Sequence, residues 1–183
     1  MSQQRTTAAT APATEQTQDA FTEVEKMSQH DQSTHEDVKL IRDLLSGSGY
    51  AERAIEYYLT KPNMGIISNP DQMTELTGPC GDTMKCYLKM ENGRIKDAKY
   101  QVLGCPGAIS AAMALADLVK GKTLDEAMEV KDRDVFRELV EIPDQKQHCI
   151  RLAVKTLQKA INEYRGLAPQ QGASSPEPCR KAG

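Results

Sequence analysis

The chain has 183 residues, of which 39% are hydrophobic, and a formal net charge of −3. That size argues for one globular domain with tails rather than two full domains, and the acidic balance speaks against general attraction to nucleic acid. No apolar run approaches the roughly 18 residues of a membrane span, and no signal-peptide core is present, so a cytoplasmic protein without membrane contact is expected.

The first 30 residues are rich in Thr, Ala and Gln, with Glu15, Asp19, Glu23 and Glu25 opposed only by Arg5 and Lys26. Residues 1–33 are therefore read as a disordered tail rather than an Arg-rich transit peptide. The ordered domain is placed at 34–165, opening with an extra helix. Thr34 is its expected cap, and Val38, Ile41, Leu44 and Leu45 share one face up to Gly47. A second helix is predicted over 51–60, followed by a loop with a short strand near 73–77.

The period then changes. Met84, Cys86, Leu88 and Met90 alternate with Lys85, Tyr87 and Lys89, the pattern of a half-buried strand. Asn92-Gly93 supplies a hairpin turn. In the return strand, 94–103, Ala98, Tyr100 and Val102 are in phase while Ile95 is not, which predicts a bulge near Lys96. Pro106 opens a helix that Gly121 stops, so Cys105 caps it. Amide donors and the helix dipole would favour the Cys105 thiolate. Thr123 to Glu126 reads as a capping box, and another helix is expected over 133–140. The last helix, with Asp144 as cap, carries Cys149, Ala153, Leu157, Ala160, Ile161 and Tyr164 in a stripe predicted to lie on the core. Residues 166–183, rich in Pro, Gly, Ser and Gln, are read as a second disordered tail. The fold class is α+β, a small three-stranded antiparallel sheet packed by helices. Lys120 to Lys122 form a local cation cluster, read as solvated surface.

The cysteines are 80, 86, 105, 149 and 179. Cys86 lies on the apolar strand face and behaves as a small hydrophobe. Cys179 falls in the C-terminal tail and is a stray thiol or a flexible sulfur acceptor. Cys80 precedes one strand and Cys105 follows its hairpin partner, so antiparallel pairing brings both to one end of the sheet. Cys149 is not placed by this argument. His148 precedes it, but adjacent helical residues point about 100° apart, so the two are not an evident nucleophile and base pair.

Gly78-Pro79-Cys80-Gly81-Asp82, Gly93-Arg94-Ile95-Lys96-Asp97-Ala98, Gly104-Cys105, Lys120 to Ala127, and Pro143 followed by Lys146-Gln147-His148-Cys149 occur in order. Together with Lys61-Pro62-Asn63-Met64-Gly65, this series resembles the IscU/NifU iron-sulfur scaffold family from about Tyr57 to Arg165. The resemblance implies a site of Cys80, Asp82, Cys105, His148 and Cys149 at one end of the sheet, with Lys146 steadying negative charge. It implies assembly of a transient 2Fe-2S cluster. Its implied partners are a cysteine desulfurase, an iron donor and apo acceptor proteins, for a monomer or homodimer. Three thiolates with an oxygen or imidazole as fourth ligand suit release rather than retention.

Two departures stand out. Ile142-Pro143-Asp144-Gln145-Lys146 keeps only Pro143 and Lys146 of the segment that an Hsp70-type chaperone reads in the family, which leaves helix capping as its reading. Cys105-Pro106-Gly107-Ala108 replaces Cys-Gly-Ser-Ala, which predicts a stiffer helix start. The alternative within the same fold is a zinc-loaded, SufU-like sulfur acceptor using Cys80, Asp82, Cys105 and Cys149. A thiol enzyme with Cys149 as nucleophile, a zinc hydrolase, and an interaction module with structural cysteines are the other classes weighed. The helix before Tyr50 lies outside the resemblance and is assigned either to packing on the domain or to self-association.

Overall fold

The computed structural model describes residues 35–166. The two predicted tails, Thr34 and Cys179 lie outside these residues, apart from Gly166 at the edge of the second tail. The chain divides into two units, one ending at Leu44 and the other beginning at Leu45. Residues 35–47 are helical (α1). Val38 and Leu44, expected on one apolar face, are 41% and 61% exposed.

The second unit holds α2 (Glu52–Thr60), β1 (Gln72–Thr77), β2 (Thr83–Glu91), β3 (Arg94–Leu103), α3 (Pro106–Val119), α4 (Leu124–Met128), α5 (Asp132–Leu139), a 3-10 turn (Asp144–Lys146) and α6 (Gln147–Tyr164). The strands form one antiparallel meander in the order β1-β2-β3. Asn92 and Gly93 both adopt positive φ, as a tight two-residue hairpin requires. One step further, Lys89 faces Asp97 while Met90 faces Ile95, so Lys96 has no partner and is the bulge. The bulge returns Ile95 to the inner face, where it is fully buried with Ala98 and Tyr100.

Helices α3 and α6 cover that inner face, α3 against β3 and α6 against β1 and β2, while α2 and α5 pack behind α3. All but four residues of α3 are buried, many of them Ala, which lets its neighbours approach closely. The stripe on α6 is buried as expected from Cys149 to Ile161, but Tyr164 is 42% exposed. The last turn still meets β1, where Glu163 Oε2 accepts from Gln72 Nε2 at 2.9 Å, and Tyr164 beside it is left at the surface, which helical period alone did not show. Asp144 makes no cap hydrogen bond from its side chain; the Lys146 amide donates to Pro143 O at 2.7 Å, and Gln147 Nε2 donates to Asp144 Oδ1 at 3.2 Å. Among the described residues no helix is long and apolar enough to cross a membrane.

The loop after α2 is tied to α3 by Asn63, 1% exposed, whose amide donates to Met113 O at 3.1 Å and Asp117 Oδ1 at 2.8 Å. Tyr100 N donates to Asn63 O, and Gly65 N to Tyr100 O, both at 2.9 Å. The Lys-Pro-Asn-Met-Gly segment thus acts as a clamp on β3. Lys120 is drawn into the same clamp, bonded to Asn63 Oδ1 and 3.4 Å from Asp97 Oδ1, so it is a structural cation and not free surface.

Candidate metal and cluster site

Thr83 of β2 pairs with Thr77 of β1 on one side and Leu103 of β3 on the other. Everything just beyond these three residues therefore gathers at one end of the sheet. On the β1 side the chain reverses through Gly78-Pro79-Cys80-Gly81, with Gly81 N donating to Gly78 O at 3.0 Å and Gly78 N to Asp82 O at 2.8 Å. Pro79 presets the turn, and Gly81 takes φ of 87°. Cys80 is exposed at the tip of this turn, and Asp82 is half-buried at its base.

On the β3 side Gly104 leads to Cys105, whose carbonyl accepts the first amides of α3, from Ala108 at 3.0 Å and Ile109 at 3.2 Å. Gly104 is required by space. A Cβ there would stand 2.7 Å from Asp82 Cγ, so only glycine lets the carboxylate lean over the start of α3. The first turn of α6 supplies the rest. Cys149 is fully buried, and His148 and Lys146 are half-buried beside it.

Cys105 Sγ lies 3.5 Å from Cys149 Sγ and 3.5 Å from Asp82 Oδ2, and Cys149 Sγ lies 3.8 Å from the same oxygen. Two triads emerge, each with donor atoms within 4.8 Å of one another: Asp82, Cys105 and Cys149, and Cys80, Asp82 and His148. Asp82 is common to both. All five residues expected as ligands thus belong to one cluster, including Cys149, which the strand argument left unplaced. The packing of α6 on the sheet and α3 is what brings it in. The contact of 3.4 Å between His148 Nε2 and Cys149 Sγ departs from expectation. The 100° between neighbouring side chains holds at Cβ, yet the longer imidazole reaches back to the sulfur.

The two adjoining thiols titrate as a pair. The Cys105 thiol is pulled down to about 6, first by the hydrogen bond from Cys149, then by the Ala108 amide at the start of α3 and by Lys146, against burial and Asp82. Cys149 is pushed well above the ordinary thiol range by its bond to Cys105, by burial and by neighbouring negative charge. The pair therefore gives up its first proton more readily than an isolated thiol and its second less readily, and the Ala108 amide and Lys146 favour the anion on Cys105. Lys146 enters this balance as a cation favouring the thiolate.

Tyr50 was not singled out in the sequence. Its hydroxyl would touch a Cβ at Gly107 at 3.3 Å, and burial followed by the charge of Cys105 and Cys149 raises it to about 12. It forms part of the wall beside the thiols. Its only sequence signal was its place after Gly49, which does not point to a site. Cys86, by contrast, is fully buried among apolar side chains, as its strand phase predicted, and its thiol rises to about 12.

Comparison with known proteins agrees with this architecture. Residues 49–170 match the family model described as the NifU-like N terminal domain. The chain belongs to that family. It is 34% identical over 116 residues to the Archaeoglobus fulgidus protein named iron-sulfur cluster assembly scaffold protein IscU 1, covering 63% of this chain and 76% of that one. It is 38% identical over 121 residues to a Drosophila melanogaster protein named iron-sulfur cluster assembly enzyme IscU, covering 63% and 78%. A crystal structure of the N-terminal part of a nitrogen-fixing NifU-like protein from Brucella abortus shares the fold, with a TM-score of 0.53 at 20% identity over 64% of this chain and 95% of that one.

Proposed function

We propose that the protein is an iron-sulfur cluster assembly scaffold, on which iron and sulfide are gathered at Cys80, Asp82, Cys105, His148 and Cys149 and from which a nascent 2Fe-2S cluster is passed to apo-proteins. The observation that carries this reading is the pair of triads hinged on Asp82. Two irons in one cluster each need two protein donors. Cys105 and Cys149 lie close enough to share one iron, leaving Cys80 with Asp82 or His148 for the other. Thiolates hold iron strongly, whereas the carboxylate or imidazole is the weaker donor whose release frees the cluster.

Sulfur would arrive as a persulfide on a cysteine desulfurase. A thiolate of this site attacks the outer sulfur, a new S–S bond forms here, and the desulfurase cysteine leaves as its thiolate. Exposed Cys80 and half-buried Cys105 are the sulfurs that such a partner can reach. A nucleophilic enzyme built on Cys149 and His148 fits less well, despite their contact. Cys149 is fully buried, and its sulfur is in contact with Cys105 Sγ at 3.5 Å.

A second reading has its own geometric support. Edges of 3.5 to 3.8 Å among Asp82 Oδ2, Cys105 Sγ and Cys149 Sγ match those of a tetrahedron around one zinc with bonds of ~2.3 Å. In that form the same residues, with Cys80 as fourth donor, would make a zinc-loaded sulfur acceptor. Anaerobic reconstitution with iron, cysteine and a desulfurase separates the two. The scaffold reading predicts visible thiolate-to-iron absorption that disappears in Cys80→Ser, Cys105→Ser and Cys149→Ser. Zinc near one per chain in anaerobically isolated protein, with no such absorption on reconstitution, would establish the second reading instead.

A further inference from the structure

Away from the thiols, the outer side of α6 meets α5 in a groove made of two adjoining cavities of about 350 and 500 Å³ that share Asp132, Arg133 and Arg151. On α6 the lining residues are Gln147, Ile150, Arg151, Val154, Lys155 and Gln158, one stripe at helical spacing about 17 Å long. From α5 come Arg133, Phe136 and Arg137, and Lys131 closes one end. The floor is apolar, with Ile150 and Val154 almost wholly buried beneath the polar walls.

The charge is one-sided. Five cations line the groove against the single carboxylate of Asp132, in a chain whose net charge is −3. Arg133 and Arg137 are 77% and 78% exposed, and each reaches Asp134 only at 3.8 Å; Lys131 reaches Glu129 at the same distance. Arg151 and Lys155 are exposed and have no ion-pair partner among the described residues. The fold has drawn Lys120 into its own bonds and ties Lys131 to the Met128 carbonyl at 3.0 Å, yet it leaves Arg133, Arg137, Arg151 and Lys155 turned to solvent.

We propose that this groove docks an acidic segment of a partner protein, one that carries apolar side chains between its carboxylates. Carboxylates would meet the guanidinium and ammonium groups of both walls, and an apolar side chain would rest on Phe136, Ile150 and Val154. The stripe accommodates about five residues of extended chain or about three turns of helix. Gln147 lines the groove two residues before Cys149, so a seated partner lies next to the cluster end without occupying it. This surface does not depend on the cluster reading, and a failed reconstitution leaves it standing.

The test uses the full chain and a fluorescein-labelled peptide of about ten residues that repeats Asp-Glu-Leu, with an Asn-Gln-Leu peptide as its uncharged match. Fluorescence polarisation is expected to show saturable binding of the acidic peptide alone, weakening as salt is raised. Arg133→Glu with Arg151→Glu should weaken it about tenfold or more, and the milder Arg133→Gln with Arg151→Gln should weaken it less. Lys85→Glu with Lys99→Glu, on the opposite face of the sheet, should leave it unchanged. Absence of saturable binding, or equal loss in the groove and sheet variants, would overturn the proposal. So would a DNA duplex competing through the same arginines, or a charge-reversed variant whose sedimentation shows that the groove had been holding a second copy of the chain.

Discussion

Cys86 and Cys105 sit on the same hairpin and have opposite chemistry. Cys86 lies mid-strand with no exposure, and burial raises its thiol to about 12; Cys105 lies at the strand's end, where α3 begins, and its thiol falls to about 6. The residue type is the same, so position decides. A mid-strand sulfur has its backbone amides spent in the ladder and is surrounded by Met84, Leu88 and Tyr100. A sulfur at a helix start meets unspent amides, a second thiol and a lysine. Interior and end of one sheet therefore divide the work, the first holding the fold and the second holding charge.

The sharpest way to break this division is to damage the interior. Leu88→Ala, at a fully buried site, should cost roughly 2–5 kcal/mol in urea unfolding. Folded protein of that variant should still bind iron at the wild-type stoichiometry. Next in size is Gly104→Ala. The added methyl meets Asp82 and should lower iron affinity about tenfold in an anaerobic titration, with little change in unfolding midpoint. Cys86→Val removes the thiol and adds about one methyl to the fully buried interior, and is expected to cost about 1–3 kcal/mol while leaving iron binding intact.

The smallest effect is on pH dependence. Below about 6 the Cys105 thiol is protonated whether the chain is folded or not, so its ionisation contributes no stability there. The contribution grows as pH rises from about 6 towards the ordinary thiol range and is lost as pH falls back through about 6; above that range it is offset, because the raised Cys149 thiol keeps its proton in the folded pair. Alkylation of Cys105 followed by mass spectrometry should show a midpoint near pH 6, and Lys146→Ala should move it upward.

Local pattern made much of this legible. Strand phase identified Cys86 as interior, Asn92-Gly93 and the misplaced Ile95 located the turn and the bulge at Lys96, and antiparallel pairing put Cys80 and Cys105 at one end. Those features depend on neighbours in sequence or on one hairpin. The packing of α6 does not, which is why Cys149 was tied to the site through family resemblance alone. The reach of His148 back to Cys149, the exposure of Tyr164 and the wall formed by Tyr50 share that cause, since each depends on where a helix docks. The need for glycine at 104 was hidden for a related reason, because its φ is unexceptional and only the approach of Asp82 demands it.

Iron and acid-labile sulfide per chain after anaerobic reconstitution, measured side by side for wild type, Cys86→Val and Cys105→Ser, test the central claim most directly. The division between interior and end predicts about two of each in wild type and in Cys86→Val, and close to none in Cys105→Ser. Equal loss from both variants, or full loading of Cys105→Ser, would contradict it.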